Sequence, residues 1–298
     1  MKNIYLLSVL LLLIVVSCED VEVAYPGNNQ STSPVSPVGT AEWLGDFSGE
    51  LPENTAPGVS IATLNAEDGN PDDEFSTESS YTIASQKIDG INVTVPFKKA
   101  IIPFLDDLSI EAKSTQSVNT IYLKENKVMG HNTDIVGFEA SIKKSEYNLV
   151  NKEVLILGAG GVVPSIIFAL KKMKVSKITI SNRTKKKAEN LEKLFENIEI
   201  IEWGVVPNFD MIINATSVGL KKEDDINIDF SSISKNKFFY DVIYNPKETS
   251  FLKTGKNLGN VILNGKLMFI YQALSAFKIW HGIRPDIDEK VIKLLDND

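Results

Sequence analysis

The sequence reads Val154-Leu155-Ile156-Leu157-Gly158-Ala159-Gly160-Gly161 where four apolar residues run directly into a cluster of glycines. The residues that follow, 162–173, are mostly apolar and are numerous enough for a helix. This order is typical of a buried parallel strand, a tight turn and the N-terminus of a helix. Gly158 would permit the turn, and Gly160 would let a pyrophosphate approach the backbone beside the helix N–H groups. Because Val163 occupies the third glycine position of G-x-G-x-x-G, the alternative is a glycine turn that only joins strand to helix and binds no cofactor.

Charge divides the chain of 298 residues into two unlike parts. No Lys or Arg occurs between Asn3 and Gln86, and residues 19–86 carry thirteen acidic side chains. From Lys87 onward the chain holds 30 basic and 26 acidic residues, within an overall net charge of −8. So sharp a change indicates two segments of different origin or environment. The length allows two domains, and 43% hydrophobic residues can bury a substantial core.

The first eighteen residues have the features of an export signal. Lys2 precedes the apolar run 4–16, which is too short to span a bilayer but suits a signal-peptide core. The single cysteine, Cys18, follows that run, and segment 1–18 resembles a bacterial lipoprotein signal whose cysteine is lipidated. A short buried helix with an incidental thiol is the alternative. One cysteine also excludes an internal disulfide bond.

Residues 19–86 are expected to be exported, largely irregular material. Residues 27–39 are rich in Ser, Pro, Asn and Gly, which is the composition of a linker. Residues 53–74 resemble the opening of a cadherin-type repeat, in which acidic residues bind calcium. An isolated strand pair is marginally stable in water. Disorder or loose strands are therefore favoured over a working calcium site, and no metal site is predicted elsewhere.

Polar groups suited to chemistry first appear beyond Lys87. Residues 91–95 alternate apolar and polar side chains, so Asn92 and Thr94 share one face of a predicted strand. Pro96 ends the strand and can start a helix. Lys98 would then lie at the carboxyl end of the strand, where open α/β sheets bind ligands. This set suits a polyhydroxylated substrate and an acid/base, although a solvated Lys98 on a helix face is the alternative.

A hairpin and a helix are predicted next. Residues 118–122 and 128–130 flank the polar stretch 124–127, which favours a strand pair. Asp134 would open a helix over 135–144, either as its N-cap or as an ionised carboxylate that holds a lysine. His131 reads as a surface residue, because nothing nearby in the sequence supplies a metal set.

Eight motifs occur in the order in which they occur in shikimate dehydrogenase. They are Asn-Val-Thr-Val-Pro-Phe-Lys at 92–98, Val-Asn-Thr at 118–120, Gly-His-Asn-Thr-Asp at 130–134, Gly-Ala-Gly-Gly at 158–161, Asn-Arg-Thr at 182–184, Asn-Ala-Thr-Ser at 214–217, Asp-Val-Ile-Tyr-Asn-Pro at 241–246, and Gly265 with Gln272. The chain resembles that family from about Lys87 to Leu295. The resemblance implies reversible hydride transfer between NADPH and 3-dehydroshikimate, which gives shikimate.

The resemblance also implies residue roles. Lys98 matches the catalytic lysine and Asp134 its aspartate partner, and some tuning of the lysine pKa from about 10.4 is expected. The implied substrate contacts are Asn92, Thr94, Asn119, Tyr244 and Gln272. The implied cofactor contacts are Gly158, Ala159, Gly160, Gly161, Asn182, Arg183, Thr184, Thr216 and Gly265.

The choice of cofactor can be argued from the second strand of the nucleotide-binding unit, 177–181. An NAD enzyme often places Asp or Glu at the end of this strand, to bind the ribose 2′-hydroxyl. Here Asn182-Arg183-Thr184 follows, with Lys185 to Lys187 behind it. These cations suit a 2′-phosphate, so NADP is expected. A basic helix start on the surface stays the alternative for the three lysines.

Alternation of strands and helices predicts an α/β fold with a doubly wound parallel Rossmann sheet and an incomplete α/β substrate domain. Further strands are expected at 199–203, 211–214, 238–243 and 261–263, and helices at 184–196 and 265–281, with Gln272 off the apolar stripe. The predicted divisions are a signal peptide at 1–18, an acidic linker and cadherin-like fragment at 19–86, a partial substrate-binding domain at 87–149, an NADP-binding domain at 150–264, and C-terminal helices at 265–298 that pack back on the substrate domain.

One departure from the family is large. The family opens with a segment carrying His-Ser-x-Ser, whose serines hold the substrate carboxylate, whereas this chain has only His131 and His281. The acidic segment takes that place, and a fusion or mis-joined reading frame would explain both facts. Reduced activity is therefore expected, and quinate use stays open.

The expected partners and location follow from these features. The main hypothesis is a cytoplasmic enzyme acting on shikimate or 3-dehydroshikimate, with a homodimer possible and no nucleic acid. The alternative is an exported binding or adhesion protein, anchored to a membrane by a lipidated Cys18, with an inactive dehydrogenase part.

Overall fold

The computed structural model describes residues 41–42, 45–46, 60–61, 65–66, 90–221 and 223–294. The predicted signal peptide with Cys18, and most of the calcium-binding candidate at 53–74, lie outside these residues. The first described elements are two antiparallel pairs of two-residue strands. They are β1 (Ala41–Glu42) with β4 (Asn65–Ala66), and β2 (Gly45–Asp46) with β3 (Ser60–Ile61). In the part of the chain described, no helix is both long and apolar enough to cross a membrane.

Six parallel strands form the centre of the larger lobe, here called the parallel-sheet lobe (residues 150–264). They are β9 (Glu153–Leu157), β10 (Lys177–Ser181), β11 (Glu199–Ile201), β12 (Met211–Asn214), β13 (Phe238–Asp241) and β14 (Val261–Leu263). Their order in the sheet is β11-β10-β9-β12-β13-β14. This is the dinucleotide-binding arrangement, with the strand order reversing beside β9. The predicted doubly wound α/β fold is confirmed.

The central strands of this sheet are buried on both faces. Ile156 and Ile213 pack into the hydrophobic core on one side, and Leu155 and Ile212 into the core on the other. Helices α3 (Val163–Lys172), α4 (Lys185–Leu194) and α5 (Ser250–Asn257) belong to this lobe. Burial of alternate residues in opposite directions explains why these strands are almost wholly apolar in sequence.

A smaller sheet forms the mixed-sheet lobe (residues 90–149). Its strands are β5 (Gly90–Asn92), β6 (Asp107–Leu108), β7 (Thr120–Lys124) and β8 (Lys127–His131), in the order β5-β7-β8-β6. β7 and β8 form the predicted hairpin. The lobe also contains a 3-10 helix (Ile102–Phe104), α1 (Ile110–Thr115) and α2 (Asp134–Lys144).

The prediction of a helix directly after Pro96 is wrong. Residues 95–101 form turns that lead into the 3-10 helix, and the ladder of β5 already ends at Asn92. The backbone explains this, because the Lys98 carbonyl accepts a hydrogen bond from the Val118 N–H at 2.8 Å. That carbonyl is therefore committed to a neighbouring segment instead of a following helical turn.

The last helices are α6 (Lys266–His281) and α7 (Glu289–Leu294). α6 packs on α2 so closely that a Cβ at Gly137 would lie 2.6 Å from the Met268 carbonyl oxygen. At the other end of α6, the Trp280 Nε1 donates to the Ile121 carbonyl at 3.0 Å, in β7. The end of the described chain therefore completes the packing of the mixed-sheet lobe.

Candidate active site

The centre of the site is an ion pair between the two predicted catalytic residues. Lys98 Nζ lies 2.6 Å from Asp134 Oδ2, and the two side chains are only 12% and 8% exposed. Lys98 is positioned by the turn after β5, and Asp134 is the first residue of α2, with Thr133 as the N-cap. A carboxylate in the first turn of a helix is stabilised by the helix dipole. The fold thus places the Asp134 carboxylate beside Lys98 at the carboxyl end of the small sheet.

Asn119 organises the groups behind this pair. Its Nδ2 lies 2.8 Å from Asp134 Oδ1 and 2.9 Å from Thr133 Oγ1, with Gln272 Oε1 at 3.4 Å. Its Oδ1 accepts from the Thr133 N–H at 2.8 Å. Asn119 therefore engages one carboxylate oxygen of Asp134 and leaves the other for Lys98. The amide that the sequence assigned to substrate binding also orients the predicted catalytic aspartate.

Gln272 is buried, with 7% exposure, and its position off the apolar stripe of α6 does not place it in solvent. Gln272 faces α2: a Cβ added at Gly137 would lie 2.9 Å from the Cβ of Gln272. Its Oε1 lies 3.5 Å from Thr133 Oγ1. The late helix thus brings a side chain 153 positions from Asn119 into the same polar cluster.

Asn92 and Thr94 precede Lys98 in the same extended segment. The Asn92 Nδ2 donates to the Asn119 carbonyl at 3.1 Å, so this amide is tied to β7. Thr94 is half-buried, and its carbonyl accepts from the Phe97 N–H at 2.9 Å. Both residues therefore lie on the segment that carries Lys98, the predicted catalytic lysine.

Tyr244 approaches from the parallel-sheet lobe. It follows β13, and its ring stacks on Phe269 of α6 with 4.6 Å between centroids. Burial raises the pKa of Tyr244 above its usual value. The phenol therefore keeps its proton near neutral pH and can donate a hydrogen bond.

The glycine turn lies against the mixed-sheet lobe, where the Ser117 Oγ donates to the Gly161 carbonyl at 3.4 Å. Gly158 has φ of +111°, and a Cβ there would lie 2.7 Å from the Ala215 carbonyl oxygen, so only glycine fits. A Cβ added at Gly160 or Gly161 would lie 3.9 Å and 3.7 Å from its nearest atoms, which is ordinary van der Waals contact, so neither position is crowded. Within the described residues, no side chain caps the first turn of α3. Because the Val163 N–H donates to the Gly160 carbonyl at 3.0 Å and Pro164 has no N–H, the backbone N–H groups of the turn itself are the ones suited to hold a pyrophosphate.

The basic residues predicted for cofactor choice lie at the carboxyl end of β10. Arg183 and Lys185 to Lys187 are exposed there, at the start of α4. The Asn182 Nδ2 donates to the Thr184 carbonyl at 2.7 Å and shapes the turn. The position is the one at which a ribose carrying a 2′-phosphate would lie in a doubly wound sheet.

Thr216 is held by the end of β12. The Asn214 Oδ1 accepts from the Thr216 Oγ1 at 2.7 Å and from its N–H at 3.1 Å. At the start of α6, a Cβ on Gly265 would lie 2.0 Å from the Val242 carbonyl oxygen, so this position requires glycine. Ala159 is partly buried and packs against the core beside α3. The structure therefore gathers the predicted cofactor residues at one edge of the sheet.

Sequence reasoning assigned no role to a buried network under these loops. Both Asp241 oxygens lie 3.1 Å from the Asn214 Nδ2, and Oδ2 accepts from the Thr249 Oγ1 at 2.6 Å. The Ile243 N–H also donates to Asp241, at 3.0 Å. Burial raises the pKa of Asp241 to about 6. The available signal was a polar residue at the end of each of two apolar strands, β12 and β13.

His131 was read as a surface residue, and that interpretation is wrong. Its side chain is 21% exposed, and its Nε2 lies 3.8 Å from Glu111 Oε2. Burial lowers the pKa of His131, while the Glu111 carboxylate opposes that shift. Across the described residues, no group of three or more His, Cys, Asp or Glu side chains could hold a metal ion.

Comparison with known proteins identifies three family matches along the chain. The family described as "Shikimate dehydrogenase substrate binding domain" matches residues 61–121. "Shikimate / quinate 5-dehydrogenase" matches residues 140–242, and "Shikimate 5'-dehydrogenase C-terminal domain" matches residues 267–289. The first match starts before Lys87, where the sequence analysis placed the start of the substrate-binding part.

Individual relatives agree with these matches. The NADP(+) shikimate dehydrogenase of Pelagibacter ubique is 62% identical over 216 residues, which cover 72% of this chain and 82% of that protein. The crystal structure of shikimate dehydrogenase from Aquifex aeolicus superposes with a TM-score of 0.65 at 39% identity, covering 72% of this chain and 79% of that one. The 5-ketofructose reductase of a Gluconobacter strain superposes with a TM-score of 0.67 at 34% identity, covering 73% and 82%.

Proposed function

The chain belongs to the shikimate dehydrogenase family, and on this premise we propose that it catalyses the NADPH-dependent, reversible reduction of 3-dehydroshikimate to shikimate. The observation that carries this proposal is the buried ion pair of Lys98 and Asp134, at 2.6 Å, in a chain that also has a strand–glycine turn–helix unit. An oxidoreductase of this type needs a proton donor and a hydride donor on opposite sides of one carbonyl group. The two lobes supply one site for each.

The residues of the parallel-sheet lobe fit NADP. Gly158 forms a turn that a Cβ would block, and Gly160 and Gly161 carry no side chain that would keep a pyrophosphate from the backbone. The glycine turn offers backbone N–H donors next to the positive dipole end of α3, while Arg183 provides a cation for a 2′-phosphate without a competing carboxylate. When bound, the reduced nicotinamide supplies a hydride to the substrate carbonyl carbon. Ala159, Asn182, Thr184, Thr216 and Gly265 complete the proposed cofactor contacts.

Lys98 is the proposed acid/base. In the direction of reduction its ammonium gives a proton to the substrate oxygen, and in the direction of oxidation its amine takes that proton back. Asp134 holds the ammonium in place, and Asn119 holds Asp134. General acid–base groups placed in this way contribute rate factors of about 10²–10⁴.

Neutral hydrogen-bonding groups surround the proposed proton donor and suit a polyhydroxylated ring. The proposed substrate contacts are Asn92, Thr94, Asn119, Tyr244 and Gln272. The serines that hold the carboxylate in the family have no counterpart in the sequence, so we infer weak turnover. Because these serines are missing, the preference between shikimate and quinate has to be measured with both substrates.

Location and assembly follow as further parts of the proposal. NADPH-dependent chemistry places the enzyme part in the cytoplasm, while anchoring through a lipidated Cys18 and a homodimer stay predictions. The comparisons give no support to an exported adhesion protein. Cell fractionation combined with a lipid label shows whether Cys18 is lipidated and whether the chain is found in the membrane fraction.

The proposed function is tested by NADPH formation from shikimate and NADP+ with the purified chain. We expect slow turnover that Lys98→Ala lowers about a thousandfold, because the acid/base is lost. The matched control is Lys99→Ala, which removes a neighbouring exposed lysine and should leave the rate within twofold. NADP+ affinity should be unchanged in both variants. Equal rates in wild type and Lys98→Ala would contradict the proposal.

A further inference from the structure

Asn132 is a completely buried polar side chain at the boundary between the two lobes. Its Nδ2 donates to Thr115 Oγ1 at 3.0 Å, in α1, and to Ser165 Oγ at 2.9 Å, in α3. Its Oδ1 accepts from the Asp134 N–H at 3.1 Å. Both N–H donors and the carbonyl oxygen are thus bonded, which fixes the side chain in one orientation.

The bond to Ser165 links the catalytic aspartate to the glycine turn. Ser165 is itself completely buried and lies in the first turn of α3, which begins at Val163. A second polar contact crosses at the same place, because the Ser117 Oγ donates to the Gly161 carbonyl at 3.4 Å. These two polar contacts between the lobes therefore meet the parallel-sheet lobe where the cofactor pyrophosphate is proposed to bind.

We propose that Asn132 is a positioning residue that transmits cofactor binding at the glycine turn to the Lys98–Asp134 pair. This inference rests on the proposed function, since it takes NADP as the ligand of the turn. A pyrophosphate bound at the glycine turn restrains the first turn of α3, because the Val163 N–H donates to the Gly160 carbonyl at 3.0 Å. The Asn132–Ser165 hydrogen bond passes the restraint to the Asp134 amide, whose own acceptor is Asn132. The carboxylate then faces Lys98 in a fixed geometry when the hydride donor is in place.

A matched control exists on the same helix. The Ser141 Oγ lies 3.1 Å from the Tyr240 hydroxyl, so this buried serine of α2 also bonds across to the parallel-sheet lobe. Ser141 is remote from the glycine turn in sequence and contacts the end of β13 instead. Removing its hydroxyl weakens the packing of α2 without breaking the connection through Asn132.

Amide hydrogen exchange on the whole chain, with and without NADP+, tests the proposal. In wild type, NADP+ should slow exchange about tenfold in residues 158–163 and also in residues 132–137, which include the Asp134 amide. In Ser165→Ala the protection of 158–163 should remain, while that of 132–137 is lost. Ser141→Ala should keep both. Ser165→Cys, which retains a weaker acceptor, should give intermediate protection of 132–137.

The two proposals fail in distinguishable ways. If Ser165→Ala keeps the NADP+-dependent protection of 132–137, or if wild type shows none there while 158–163 is protected, the coupling is overturned and the cofactor assignment stands. If NADP+ protects neither segment in wild type, both proposals are overturned. A merely structural Asn132–Ser165 bond would lower the melting temperature of Ser165→Ala equally with and without NADP+.

Discussion

The two lobes of the molecule are stabilised in different ways. The six strands of the parallel-sheet lobe form one continuous sheet. The hydrophobic cores on its two faces consist mostly of residues from that lobe. In the mixed-sheet lobe, β5 contributes three residues and pairs with β7 alone within the described range. Trp280 and Gln272, from the late helix α6, complete its packing and its polar cluster.

This contrast shows where the function is robust and where it is vulnerable. The cofactor side is built from strands, turns and helices that follow one another in sequence. The substrate side needs side chains separated by up to 153 positions, such as Asn119 and Gln272. Changes in the first lobe should therefore affect cofactor binding or overall stability, and changes in the second should affect turnover.

The largest effect is expected from Asp241, which tests whether the parallel-sheet lobe sets the pH dependence of stability. Burial raises its pKa from 3.8 to about 6, so between these values the folded chain keeps a proton that the unfolded chain has released. The unfolding free energy should therefore fall as pH rises from about 4 to about 6 and then level off. A pKa difference of about 2 corresponds to about 3 kcal/mol.

This effect is measured by urea unfolding of wild type and Asp241→Asn, repeated at intervals of about one pH unit between about pH 4 and pH 7. The difference in unfolding free energy between the two proteins should change by about 3 kcal/mol across that range. Asp224→Asn is the control, because backbone hydrogen bonds from Gly219 and Lys221 lower the pKa of Asp224, which is only partly buried. A difference between wild type and Asp241→Asn that does not vary with pH would contradict the assignment.

A smaller effect is expected on completing the substrate side. Replacing residues 1–86 with a family-type opening segment that carries the two serines should raise kcat/KM for shikimate about a hundredfold. Each hydrogen bond to a charged group is worth about 1.5–3 kcal/mol, so two such bonds reach that factor. NADP+ affinity should change less than twofold, because the cofactor site lies in the other lobe.

Steady-state kinetics and calorimetric NADP+ titration of both chains provide the comparison. Lys98→Ala in the grafted chain should remove the recovered activity. If the unmodified chain already turns over shikimate as fast as the grafted chain, the inferred loss of the carboxylate contacts is wrong.

The smallest effect is expected at the edge of the cofactor site. Arg183→Ala should weaken NADP+ binding about thirtyfold and NAD+ binding less than threefold, because a contact to the 2′-phosphate is lost. Lys193→Ala, at the far exposed end of α4, is the matched control and should change neither affinity. Equal weakening of both cofactors by Arg183→Ala would show that Arg183 is structural.

Much of the parallel-sheet lobe could be predicted from sequence. The strands Lys177–Ser181, Met211–Asn214 and Val261–Leu263 have the predicted bounds. Their apolar runs are short, are ended by polar or turn residues, and need no distant partner to be recognised. The glycine turn is equally local, because the φ of Gly158 and the start of α3 are set within one strand–turn–helix unit.

The mixed-sheet lobe was predicted less well. Neither β6 (Asp107–Leu108) nor α1 (Ile110–Thr115) was predicted, because both are too short to show a clear period. A helix was predicted where the Lys98 carbonyl instead accepts a hydrogen bond from Val118. Short elements are decided by their neighbours, and local spacing carries little information about those neighbours.

The sequence by itself determined the class of fold, the strand–glycine–helix turn, and the residue types needed for acid/base chemistry and for a 2′-phosphate. These depend on periodicity and on side-chain chemistry, both of which are properties of neighbouring residues. Only the tertiary structure decided that Asn119 orients Asp134, that Gln272 is buried against Gly137, and that Asn132 bonds to Ser165. Each of these depends on where a distant backbone comes to lie, and hydrogen bonds form only at short range and in defined directions.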